Sequence, residues 1–192
     1  MELQHTNVKL FIDPASQLDM AALIPVFHRW IQEDSGQHLP GQELLIDVAD
    51  YRHVPQGPGV LLIGHEADYA LDESEGRRGL LYNCKASQPG NNRDRLRKAL
   101  SATLRAALRL EADATLPGLR FSRQELRVLV NDRLLAPNTK PRYQDLVREL
   151  LDLLQDLNPR FQHVEDARER LSVDIQTGLP FDPKLLLARL AS

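Results

Sequence analysis

Apolar and polar positions alternate in two different periods along this chain. VKLFID, residues 8–13, is β-branched and aromatic and closes on an Asp-Pro break, which predicts a strand. Ser16 and Asp19 then mark a helix start, and Met20, Leu23, Ile24, Phe27, Trp30 and Ile31 follow at helical spacing. Pro25 lies within that stripe and lacks an amide donor, so it either kinks the helix or separates a short turn from a second helix. SGQHLPG, residues 35–41, closes the unit.

Residues 43–86 predict a three-stranded antiparallel meander. Its strands are ELLIDVADYRHV, VLLIGHEADYALD and GLLYNCKA, separated by the turn sequences PQGPG and ESEGRR. After the polar loop SQPGNN, an amphipathic helix over 92–112 buries Leu96, Ala99, Leu100, Leu104, Ala107 and Leu108, with Thr103 as the polar member of the stripe. GLRFSRQELRVLVND fits a hairpin with Leu126, Val128 and Val130 alternating. It also fits a helix with Leu126, Leu129, Val130 and Leu134 on one face, but its β-branched content favours the hairpin. A helix over 141–157 carries Leu146, Leu150, Leu153 and Leu154; RLSVDIQTG reads as a strand and FDPKLLLARLAS as a terminal helix.

VKLFID and LRVLVND each precede a loop and an amphipathic helix, a weak two-half strand–helix echo. The expected fold is α+β: a mostly antiparallel sheet, the meander plus further strands, packed by amphipathic helices. The expected organisation is one domain over 1–192, with sub-halves 1–115 and 116–192 as the alternative.

Composition narrows the partners. The 192 residues are 42% hydrophobic and 27% charged, enough for a sizeable core. A net charge of −3 and pI near 6.1 exclude the general basic excess of a nucleic-acid coat or membrane-surface protein. Cys84 is the single cysteine, so neither an internal disulfide nor a cysteine-cluster zinc site is expected. MELQHTNVKLFID lacks the pattern of a signal peptide, and the longest apolar stretch, MAALIPVF, falls well short of the roughly 20 residues that span a bilayer. These features set a cytoplasmic expectation, without membrane or nucleic-acid partners.

The chemistry concentrates in HVPQGPGVLLIGHEADY, residues 53–69. With 60–72 treated as one strand, Leu61, Ile63, His65, Ala67, Tyr69 and Leu71 share a face, and register places Asp50 on that face while His53 falls on the other. The two histidines are therefore not expected to share a metal, and HEADY lacks the second histidine of a zincin helix. No metal or cofactor is expected. Asp50 beside His65 would fix the imidazole tautomer for acid–base work, with Tyr69 and Tyr82 lining a pocket. The plainer alternative is a core histidine satisfied by Asp50.

A charge reversal follows. Residues 66–75 carry Glu66, Asp68, Asp72, Glu73 and Glu75, whereas 77–98 carry Arg77, Arg78, Lys85, Arg93, Arg95, Arg97 and Lys98 against Asp94 alone. Adjacent strands of opposite sign attract, which accounts for much of this pattern. Gly90, Asn92 and Arg93 nevertheless place a basic loop at a helix start, where free amides favour an anion. The loop is not a Walker motif, and no aromatics interleave its basic residues. Asn131, Asp132 and Arg133 read as turn chemistry.

Three functions fit. A non-catalytic interaction or adaptor module, joined to a protein partner or to itself, ranks first because it demands only a stable fold. An enzyme using Asp50 and His65, and a binder of a small anionic ligand at the 88–98 loop, are the alternatives.

Overall fold

The structure is a computed structural model that describes residues 2–34 and 43–191. β1 (Thr6–Ile12) is followed by a 3₁₀ turn, Met20–Ala22, whose first amides are capped by Asp19. α1 (Leu23–Asp34) begins immediately after it. Pro25 thus sits in the first turn of α1, where no intrahelical donor is lost, and the stripe divides into a turn and a helix. The segment 35–41 lies outside the described residues.

The remaining strands are β2 (Leu45–Tyr51), β3 (Gly59–Gly64), β4 (Ala67–Asp72), β5 (Gly79–Cys84), β6 (Phe121–Val130), β7 (Pro159–Gln162) and β8 (Leu171–Thr177). The remaining helices are α2 (Asn92–Glu111), α3 (Lys140–Leu154) and α4 (Pro183–Ala191). The fold is α+β. Its described strands form one eight-stranded sheet in the order β2-β3-β4-β5-β1-β6-β8-β7, antiparallel at every step.

Register brings alternate apolar residues into line on one face: Val60 and Leu62, Leu71, Leu80 and Tyr82, Val8 and Leu10, Leu126 and Val128, Val173 and Ile175. These join helix residues such as Phe27, Leu100, Leu150 and Leu186 in a single core, so the helices cover that face. α1 packs on β2 and β3, α2 on β1 and β5, and α3 on β8 and β7, while α4 lies against α2. The opposite face is charged toward its centre. One row across it reads Ala49, Leu61, Ala70, Leu81, Lys9, Arg127, Asp174, Gln162. Arg127 there bonds both Asp174 and Glu75.

Three elements differ from the sequence reading. The middle strand of the meander is two strands, because His65 and Glu66 form a tight turn between β3 and β4. The carboxylate of Glu43 accepts the amides of Glu66 (2.7 Å) and Ala67 (3.0 Å), and Lys85 Nζ donates to the carbonyl of Gly64 (2.7 Å), which pins that turn. Reversal there changes the parity: Val60 and Leu62 face the core, and Leu61 and Ile63 face the other way. Residues 121–130 form one long strand rather than a hairpin; Leu126, Val128 and Val130 do face the core. β7 has no counterpart in the sequence reading, since it is four residues long, half exposed and at the sheet edge.

β1 and β6, the two first strands of the sequence echo, lie side by side with Thr6 opposite Val130. No described helix is long and apolar enough to cross a membrane.

Candidate ligand-binding cleft

The turn at His65 and Glu66 separates the expected acid–base pair. Asp50 is opposite Val60 near one end of β3, whereas His65 follows Gly64 at the other end and donates its amide to Leu44. Asp50 instead accepts Nε (2.8 Å) and Nη2 (2.6 Å) of Arg52. Those bonds hold its carboxyl at about 2, below the ordinary aspartate range. His53 stacks beside Tyr51 after β2, again at the far end of β3 from His65.

Tyr69 and Tyr82 do share a face. They are register partners on β4 and β5, with ring centroids 5.4 Å apart in an edge-to-face arrangement. Burial pushes both phenols well above the usual tyrosine range, so each hydroxyl keeps its proton. Burial likewise raises the Cys84 thiol, whose Sγ donates to the carbonyl of Ala86.

At the start of α2 the chain supplies its own cap. Asn91 accepts the amide of Asp94 (2.9 Å), and the Asp94 carboxylate accepts the amide of Asn91 (3.1 Å). Gly90 turns into this box at φ +85°, where an added Cβ would lie 2.9 Å from the Asp94 carboxylate. Asn92 accepts the amide of Leu3 (2.8 Å) and bonds Glu149, while Arg93 is exposed. The helix start expected to hold an anion therefore already holds an internal carboxylate.

The cleft lies farther along the same helix. α1 covers β2 and β3 and α2 covers β5 and β1, which leaves a cavity of about 960 Å³. Tyr69 and Tyr82 from the sheet, Leu45 from β2, and Trp30 and Asp34 from α1 line it. α2 contributes Arg97, Lys98, Ser101, Ala102, Arg105, Ala106 and Arg109 to the other wall. Positions 97, 101 and 105 recur every four residues, so they rise along one side of the helix.

Among the described residues, each side-chain carboxylate lining the cleft has a partner. Glu43 holds the hairpin amides and Asp94 closes the cap. Glu66 bonds Lys98 (2.9 Å), which holds its carboxyl below the usual range. Arg109 pairs with Glu33 (2.5 Å) and Asp34 (3.4 Å) and lies 4.2 Å over the Trp30 ring. Two cations are left over. Arg97 and Arg105 form no hydrogen bond or ion pair among the described residues, and Arg97 Nε is buried without an acceptor. Ser101 between them is 8% exposed, and its hydroxyl has no hydrogen-bond partner there.

Of the candidate site residues read from the sequence, the cleft collects Tyr69 and Tyr82, while Asp50, His65, Gly90, Asn92 and Arg93 lie outside its lining; of the charge reversal it collects Glu66, Asp94, Arg97 and Lys98. Arg97 was visible as part of a basic run, and its four-residue spacing to Ser101 and Arg105 was the signal that could have found the wall. Among the described residues, no cluster of three or more His, Cys, Asp or Glu side chains is placed to hold a metal ion. Compared with protein-family models, curated proteins and solved structures, the chain matches none.

Proposed function

We propose that this protein is a non-catalytic binding module that takes a small anionic ligand in the cleft between α1, α2 and the sheet. The observation that carries the reading is the pair Arg97 and Arg105, which line a cavity with an aromatic floor and have no hydrogen bond or ion pair among the described residues. Arg97 Nε is buried without an acceptor, which is costly, and a ligand carboxylate or phosphate would supply one; Arg105 is solvent-exposed and adds a second positive charge at the lining. The cavity volume falls in the range of small-molecule sites. Ser101 and the protonated Tyr69 hydroxyl add donors, which favours a ligand rich in acceptors. Binding is favoured over acid–base catalysis because, among the described residues, each side-chain carboxylate lining the cleft already has a partner.

An adaptor role has less behind it. The edge strand β2 exposes Ile46 and Tyr51, but it also carries Asp47, Asp50 and a register shift, devices that discourage strand pairing.

Titration of the full chain with anilinonaphthalene sulfonate, an aromatic anion, tests the reading. Saturable binding is expected, weakened about tenfold or more in Arg97→Gln/Arg105→Gln. Binding that is absent, or unchanged in the double variant, refutes it.

A further inference from the structure

We infer a second anion site, apart from the cleft: a surface groove that takes a phosphoryl group on Arg120, Arg123 and Lys184. The groove, about 630 Å³, lies where α2 ends and where β6 and α4 begin. All three cations line it, together with two carboxylates, Glu111 and Asp182.

Both carboxylates are committed within the protein. Glu111 Oε1 accepts the Phe121 amide (2.8 Å), and its Oε2 accepts Arg123 Nη2 (2.7 Å). Asp182 Oδ1 accepts the amides of Lys184 (2.7 Å) and Leu185 (3.3 Å). Those amides belong to the start of α4, so the site rests on side chains and not on a helix terminus. The cations are less well matched. Arg123 Nη1 is buried without a hydrogen-bond partner, in a side chain 33% exposed overall. Lys184 is exposed, and its ammonium has no hydrogen bond or ion pair among the described residues. Arg120 is exposed too, and its guanidinium bonds the carbonyl of Leu119 (2.6 Å) rather than a carboxylate.

The walls are fastened to one another before any ligand arrives. Phe181, 3% exposed, anchors the segment between β8 and α4 in the core, and its amide donates to the Arg123 carbonyl (2.8 Å). Pro180 and Pro183 fix the backbone on either side of that anchor. The backbones carrying Arg123 and Lys184 are thereby held in place, which lowers the ordering cost of binding. A phosphoryl group is favoured over a carboxylate by its oxygen count. The donors come from the segment before β6, from β6 and from α4, and a phosphoryl group offers them three oxygens against two.

Amide NMR of the full chain, titrated at low salt with inorganic phosphate and with acetate, tests the inference. Phosphate is expected to produce saturable shifts at Arg120, Arg123, Phe181, Asp182 and Lys184, with an affinity about fivefold or more above that of acetate. Arg120→Gln/Lys184→Gln changes two exposed side chains and should weaken phosphate about tenfold or more. Arg97→Gln/Arg105→Gln should leave these shifts as they are. Shifts that are absent here, do not saturate, or persist unchanged in Arg120→Gln/Lys184→Gln overturn the site. Acetate binding as tightly as phosphate overturns the phosphoryl assignment. The cleft is scored by its own variants, so failure at this groove is distinguishable from failure of the binding reading above.

Discussion

Lys9 on β1 and Asp72 on β4 form an ion pair that reaches across the intervening strand β5, with side-chain exposures of 3% and 7%. Ser74 donates its hydroxyl to the same carboxylate at 2.5 Å, so the β4–β5 turn is tied to the pair. Removing one partner leaves the other charge buried and uncompensated. Lys9→Met is expected to cost about 3–5 kcal/mol of unfolding free energy. Lys9→Met/Asp72→Leu should recover most of that loss, because no charge is then stranded. Urea denaturation of the single and double variants measures both.

Gly79 is what lets Lys9 reach. It is the register partner of Asp72 and also of Phe11, and a Cβ there would lie 2.8 Å from the Leu10 carbonyl and 2.9 Å from Lys9 Cγ. The backbone contact cannot be relieved by a rotamer change. Gly79→Ala is expected to destabilise the fold by about 1–3 kcal/mol, read from the shift in denaturation midpoint at unchanged slope.

The long periodic segments were legible because their burial follows their pattern. Leu96, Leu100 and Leu104 on α2, and Leu146, Leu150 and Leu154 on α3, occupy the core as their spacing requires. The turn at His65 and Glu66 was not legible. Gly64, His65 and Glu66 interrupt the apolar run, but neither His65 nor Glu66 is a strong turn former and apolar odd positions resume at Ala67, so the segment was read as one strand with continuous parity. That single slip also created the Asp50–His65 pair. The cleft was legible in part: Tyr69 and Tyr82 carry the same parity within β4 and β5 and meet as expected. Arg97 and Arg105 draw notice because neither has a hydrogen bond or ion pair among the described residues, which is a tertiary fact.

Glu43 is the acceptor on which the hairpin turn depends. Its Oε1 takes the amides of both Glu66 and Ala67. Glu43→Ala leaves these two donors without their acceptor, at an expected cost of about 1–3 kcal/mol. Hydrogen exchange at the Glu66 and Ala67 amides should accelerate well beyond that of the β1–β6 ladder. Uniform acceleration across the sheet, or none at this turn, would contradict the local role.

Asp50 offers a direct reading of the electrostatics at the opposite end of the same hairpin. The Arg52 side chain donates two bonds to its carboxylate and the Arg52 amide a third, holding the carboxyl at about 2. The folded-state value lies below the unfolded one, so the stabilisation is present above the unfolded value of roughly 3.9. It is lost as pH falls toward 2. Both groups are solvent-exposed, which makes the titration midpoint the quantity to measure rather than global stability. Side-chain carboxyl NMR should place the Asp50 midpoint near 2. Arg52→Ala should return it to the ordinary aspartate value, whereas His65→Ala should leave it in place because the imidazole stands at the other end of β3. A comparable upward shift in His65→Ala would mean that Asp50 and His65 interact after all.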